Sequence, residues 1–189
     1  DKVKTPEQLF QLYLKSVGRG ANLLLNVPPD TRGLISEKDS GTLIGFKKLL
    51  DESFENNLAK ISKGYLIHHS SKKSAPKVND GNTNTCETIS LPGLVSVGIE
   101  FRQPQKLNCI VLKEYLQKGQ NCKSFKLLFL DNDHKLIKQI AGTTIGRKRI
   151  LTFPSTTASI IELSITDQKF PAAISEIEAY LINDKLLEK

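Results

Sequence analysis

From residue 94 to residue 181 the chain is cut into short segments rich in β-branched and aromatic residues, each closed by Gly, Asn, Asp or Pro. The segments are 94–101, 106–115, 124–130, 136–140, 149–153, 159–165 and 174–181. Segments of that length, separated by turn formers, bury one face each and need partners on both sides, so they close into a two-layered β-structure. Seven or eight strands at this spacing predict a β-sandwich or jelly roll of roughly 120–130 residues.

The first sixty residues have a different texture. Thr5-Pro6-Glu7-Gln8 is a helix start, with a capping Thr, Pro at the first helical position and acceptor side chains in the first turn. Leu9, Leu12, Tyr13 and Val17 form the apolar stripe, and Gly18 ends it. Residues 22–27 then read as a strand buried on both faces, the kind found in parallel sheets covered by helices. Ser36-Glu37-Lys38-Asp39 opens a second helix, whose Leu43, Phe46, Leu49, Leu50 and Phe54 recur at three and four to about Asn57. One such strand cannot make a sheet alone, and Leu23 to Leu25 would leave a hydrophobic edge bare. This unit is therefore expected to pack on the sandwich or on further strands of its own sheet. The boundary falls near residues 60–63, dividing the chain into 1–60 and 61–189.

Composition narrows the function classes. With 39% hydrophobic and 25% charged residues the chain has an ordinary globular balance, and no run approaches the 18 or so apolar residues of a membrane span. No signal peptide is read before the first helix, and the lack of Met predicts a processed or excised piece. The net charge of +7 comes mostly from Lys scattered singly, which reads as a solvated surface; nucleic acid is not expected as a partner. "GTTIGRKRI" (142–150) reads as a basic turn entering a strand rather than a phosphate patch. Cys86, Cys109 and Cys122 lack zinc-type spacing. A Cys109–Cys122 bridge and two small buried fillers both remain open. No His stands at nucleophile or metal spacing, and Asp30 and Glu37 read as turn former and helix cap.

Two blocks carry a resemblance. "YLKSVGRGANLLLNVPPDTRGLI" (13–35) resembles the end of the catalytic barrel of α-L-fucosidases of glycoside hydrolase family 29. Asp80-Gly81 with Thr85, "LKEYLQKGQNCKSF" (112–125), "GTTIGRKRI" and "PAAISEIEAYL" (171–181) resemble the discoidin (coagulation factor type C) module that follows that barrel in many members. The order of the two blocks is the family's order. The resemblance implies a mainly β fold: a discoidin-like jelly-roll β-sandwich preceded by a helix–strand–helix remnant of a (β/α)8-type barrel, which needs about 250 residues when complete.

The same resemblance implies the C-terminal portion of a retaining, secreted or periplasmic glycosidase that removes terminal α-L-fucose from glycans. Its two carboxylates, about 5–5.5 Å apart, lie on earlier barrel strands, so no catalytic residue is expected in this chain. Asn26, at the end of the barrel strand, would help shape the sugar pocket. A structural calcium is implied in the loop 77–85, held by Lys77, Asp80, Asn82 and Thr85, with Glu176 or else Glu178 completing it; read alone, Asn79-Asp80-Gly81 is a turn. Trp, usual in the family after this Thr, is replaced by Cys86-Glu87. The module type implies fucosylated or terminal galactose-type sugars as ligands, with Asn132, His134, Tyr115, Arg147 and Arg149 as candidate contacts. Two other readings stay open: a free-standing glycan-binding module, and a purely structural domain.

Overall fold

The computed structural model describes residues 3–69 and 71–187. Helix α1 (Pro6–Lys15) is held by the reciprocal cap read from its sequence: the Thr5 hydroxyl accepts the Gln8 N–H at 3.3 Å and the Gln8 side chain accepts the Thr5 N–H at 3.0 Å. Helix α2 (Glu37–Phe54) starts where Ser36 Oγ accepts the Asp39 N–H. Eight antiparallel strands follow: β1 (Lys63–His68), β2 (Ser71–Ser74), β3 (Glu87–Ile89), β4 (Val95–Glu114), β5 (Cys122–Leu130), β6 (Leu136–Gly142), β7 (Arg149–Gln168) and β8 (Ala172–Tyr180). Among the described residues no helix is long and apolar enough to cross a membrane.

Strands β4 and β7 are 20 residues each and pair with one another along both of their halves. A straight strand of that length would span roughly 65 Å, nearly twice the width of a domain this size, so both must turn a corner. The ladder slips between Glu100 and Gln105 and again between Leu107 and Cys109. Pro104 and Pro154, which have no N–H to give a ladder, lie within those slips. One layer is thus β2-β1-β4-β7-β5-β6, and the second is β3-β8 beside the other halves of β4 and β7. The segments 94–101 and 106–115 are one strand, as are 149–153 and 159–165. The prolines that broke the sequence pattern bend each strand without ending it.

Between the layers lies a core that includes Ile99, Leu107, Ile110, Leu112, Phe125, Leu127, Phe129, Leu163 and Ile177. Alternation along β4 sends Cys109 and Val111 to the opposite side, where they meet Phe10, Ile150, Tyr180 and Ile182. The two helices dock there: Phe54 packs edge-on to Tyr180 at 5.1 Å and Phe10 stacks on Phe54 at 6.3 Å. Gly18 touches Ile150 so closely that a β-carbon there would lie 3.1 Å from the Ile150 side chain. Cys109 and Cys122 sit in different clusters, both buried and both free, which favours the filler reading; Cys86 is free and half-buried.

The N-terminal helical unit departs from expectation in two ways. Residues 22–27 form no strand and have no ladder partners; Leu24 is 94% exposed, and the nearest pairing is an isolated bridge between Pro29 and Ile35. A strand exists only through its neighbours, and this chain provides none. The apolar stripe of α1 also splits. Phe10, absent from the predicted stripe, is fully buried against the sandwich with Tyr13 and Leu14 beside it, while Leu9 and Leu12 line a groove of about 620 Å³ with Leu23 to Leu25 and Leu43.

Replacing Phe10 by Ala is expected to cost about 3–5 kcal/mol. Urea unfolding followed by circular dichroism reads the loss, and an unchanged midpoint would mean that the helices do not share the sandwich's stability.

Candidate functional site

The loop that leads from the short turn Pro76–Val78 to β3 gathers oxygen atoms. Asn79 anchors it from inside: its amide nitrogen donates to the carbonyls of Ala59 (2.8 Å) and Ser62 (3.1 Å). Gly81 then takes a left-handed φ of +78°, which only glycine adopts freely. Asp80 accepts the Asn82 N–H through Oδ1 at 2.8 Å, and its Oδ2 lies 2.7 Å from the Thr85 hydroxyl. That hydroxyl is also 2.8 Å from the Asn82 carbonyl. It has one proton and serves one of the two acceptors at a time, so the loop holds more oxygen lone pairs than protons.

The neighbouring strand β8 adds Glu176. Its side chain is fully buried, and no donor reaches either carboxylate oxygen. Burial pushes its pKa up to about 7; a carboxyl–carboxyl hydrogen bond with Asp80, through a proton held on Glu176, and the charge of Glu178 add to the rise, and the Lys113 ammonium opposes it. For Asp80, desolvation pulls upward but is outweighed by the Thr85 hydroxyl and the Asn82 N–H, and its pKa ends below the usual carboxylate value. Two carboxyl groups thus stand together, Asp80 ionised and Glu176 with no donor reaching its oxygens, so that among the described residues only a proton shared with Asp80 satisfies it. An orphaned buried carboxylate costs several kcal/mol unless a proton or a cation joins it.

Of the six residues assigned to a metal from sequence, the fold brings Asp80, Asn82, Thr85 and Glu176 together. Lys77 lies in the turn just before them. Glu178 is engaged elsewhere, ion-paired with Lys113 and accepting the Tyr180 hydroxyl at 3.0 Å, so of the two glutamates it is Glu176 that faces the loop. No group of three or more His, Cys, Asp or Glu side chains suited to a metal forms among the described residues. A cation here would be met by two carboxylates and neutral oxygens, a hard donor set.

The candidate sugar contacts do not form one site. Tyr115 and Arg147 line a cavity of about 830 Å³ together with Thr83 and Asn84 of the acidic loop, facing Tyr13, Leu23 and Leu25. Arg149 pairs with Leu112 across the ladder on the side of the core, with its Nε buried and unpartnered. Asn132 and His134 lie in the turn between β5 and β6. Strand β5 starts beside Glu114, which accepts the Cys122 N–H, and its nine residues put that turn roughly 27 Å away. Sequence neighbourhood gave no warning of this, because a hairpin sends its turn to the far end of the layer. Asn26 is exposed in the extended segment and lines the apolar groove.

Sequence reasoning passed over Glu114. Its buried carboxylate accepts N–H groups from Asn121, Cys122 and Gly146 at 2.7–3.0 Å and so ties two loops together at the Tyr115 end. Nothing in the local string Lys-Glu-Tyr announces a buried acid, since its partners are backbone groups of loops further along the chain.

No family model matches the chain. It is 29% identical over 185 residues to α-L-fucosidase 1 of Arabidopsis thaliana, covering 94% of this chain and 37% of that protein. Its fold superposes on a Ruminococcus gnavus GH29 fucosidase solved in complex with fucose, with a TM-score of 0.80, 28% identity, and coverage of 98% of this chain and 38% of that one. A Streptococcus pneumoniae fucose binding module shares the fold of 66% of this chain at 15% identity and a TM-score of 0.55, with 94% of that module covered. The chain therefore spans little more than a third of the fucosidases it matches, and nearly all of it is similar to them in sequence and in fold.

Proposed function

We propose that this chain is the C-terminal portion of a retaining α-L-fucosidase: the last part of its catalytic barrel, residues 1–60, and a discoidin-like accessory sandwich, residues 61–189. The observation that carries the reading is the groove of Leu9, Leu12, Leu23, Leu24, Leu25 and Leu43. This apolar surface is turned away from the sandwich and only partly covered: Leu9 is buried, Leu12, Leu23, Leu25 and Leu43 are half-buried, and Leu24 is 94% exposed, while the matched fucosidases continue for more than as long again. An exposed Leu24 between two half-buried leucines, on a segment without ladder partners, suits a strand awaiting neighbours, and the missing barrel would supply them along with both catalytic carboxylates. In that assembly Asn26 would stand at the strand end where such barrels gather their sites. The substrate class is terminal α-L-fucose on glycans, and the place of action is outside the cytoplasm, secreted or periplasmic. A second reading, a glycan-binding module in its own right, is supported by the fold shared with the fucose binding module and by the cavity at Tyr115 and Arg147.

We further infer a structural calcium at Asp80, Asn82, Thr85 and Glu176, with the Lys77 carbonyl as a further oxygen. What supports it is the orphaned Glu176 carboxylate against the proton-poor loop. The ion would supply the positive charge that two facing carboxylates lack, and the residues would fix the loop 77–85 against β8. A site with so few carboxylates suits the millimolar calcium found outside cells.

Three outcomes are expected. The full-length protein releases nitrophenol from a nitrophenyl α-L-fucoside and this chain alone does not; a purified, folded full-length protein without that activity would sink the fucosidase reading. Calcium raises the melting temperature and EDTA reverses the gain, by about 3 kcal/mol of stabilisation at a hundredfold excess over Kd; a melt indifferent to both removes calcium. Without metal, the folded pKa of Glu176 stands above its unfolded value of 4.5. Its contribution is therefore fully present below pH 4.5 and is lost as pH rises through about 7, an effect on the order of 3 kcal/mol. In EDTA, Glu176→Gln should flatten that slope between pH 5 and 8, as read by melts across the range; a slope unchanged in the variant would assign it to other groups.

A further inference from the structure

A second groove, of about 490 Å³, opens at the edge of the β2-β1 layer. Four lysines line it: Lys60 from the turn before β1, Lys63 from the start of β1, and Lys72 and Lys73 from β2. They fall as two close pairs, 60 and 63, and 72 and 73, and it is the β1–β2 hairpin and the preceding turn that bring the pairs together. Only Lys72 is ion-paired, to Glu100 at 2.5 Å, and its ammonium lies 4.2 Å from the centre of the Tyr65 ring. Lys60, Lys63 and Lys73 make no ion pair among the described residues and are exposed. Ser62, Ser74 and Asn79 fill the wall between them, and the acids present are Asp80 and Glu100.

Like charges facing one groove repel each other, at a cost that an anion would reverse. Lysines on an edge strand also discourage other chains from pairing with it, which accounts for Lys72 and Lys73 on β2. It does not account for Lys60 and Lys63, which lie off that edge and line the same groove. Every lining residue belongs to the sandwich or to the turn leading into it, so the groove is complete in this chain whatever barrel is joined to it.

We propose that this groove binds an anionic glycan, one bearing sulfate or carboxylate groups. Lysines are point charges that fit sulfate and carboxylate oxygens without fixed planar geometry, and the serine hydroxyls between them suit sugar hydroxyls. Nucleic acid fits less well. Tyr65 is only 3% exposed, beneath Lys72, so the groove offers no aromatic platform for bases. The choice of a glycan rests on the proposed glycosidase context; the anionic character rests on the lysines alone.

The test is binding of the full chain to dextran sulfate and to alginate, against unsulfated dextran and a short single-stranded DNA, at about 0.15 M salt. A variant with Lys60→Ala, Lys63→Ala and Lys73→Ala is compared with one carrying Lys106→Ala, Lys126→Ala and Lys135→Ala, which loses the same charge from elsewhere on the sandwich. The expected result is binding to both anionic glycans but not to dextran, weakened at least ~10-fold in the groove variant and unchanged in the other. Lys63→Arg alone, which keeps the charge, should keep the binding and guards against misfolding of the triple variant. No binding of either glycan, equal losses in the two triple variants, or DNA bound as well as dextran sulfate would each overturn the proposal. None of these readouts involves hydrolysis. A blank here leaves the fucosidase reading intact, and an inactive full-length protein leaves the groove intact.

Discussion

The pairing of β4 with β7 is the constraint on which the rest of the molecule depends. Each strand belongs to both layers, so the two sheets are not separate objects pressed together but one ladder folded across itself. The bend is placed by two prolines that cannot donate to a ladder and by the register slips around them. Because alternation continues through the bend, β4 presents Ile110 and Leu112 to the core between the layers and Cys109 and Val111 to the outside. That outer apolar stripe is what allows the helices to dock.

Docking of the helices explains how a unit with no sheet of its own keeps its place. α1 and α2 are joined to the sandwich through Phe10, Phe54 and Tyr180 rather than through any strand. Their other faces, with Leu9, Leu12 and Leu43, turn to the extended leucines of residues 23–25. A helix pair that is apolar on two sides is suited to lie between two bodies. One of them is present here, and the other is supplied, on the proposed reading, by the barrel.

Within the sandwich most buried polar residues are arranged with similar economy. Asn79, Asn108 and Glu114 are buried with their partners found: Asn108 bonds the Ile182 backbone in both directions and Glu114 accepts three N–H groups. Against that background the unpartnered Glu176 stands out. Buried polar groups in folded proteins are normally satisfied; of the two exceptions among the described residues, the Arg149 Nε and the Glu176 carboxylate, Glu176 is the one that stands against a second carboxyl group, that of Asp80.

The helix caps at Thr5 and Ser36, the sandwich and most of its strands could be read from the sequence, because capping residues and period-two patterns act over a few neighbouring positions. The strand expected at residues 22–27 could not, because its existence depends on partners that this chain does not contain. The acidic loop was visible as Asn-Asp-Gly with Thr85, and the resemblance pointed to Glu176, but the isolation of that carboxylate is a property of burial that only the packed β8 reveals. The five candidate sugar contacts carried no spacing that said which of them meet, and they are spread over three places, since a hairpin carries its turn a full strand length from its base. The lysines are the reverse case. Along the sequence they are two close pairs within a solvated-looking stretch, and only the β1–β2 hairpin, by folding back on the turn before it, gathers the four into one groove. Local chemistry is written in order along the chain; proximity between distant residues is decided by which strands pair.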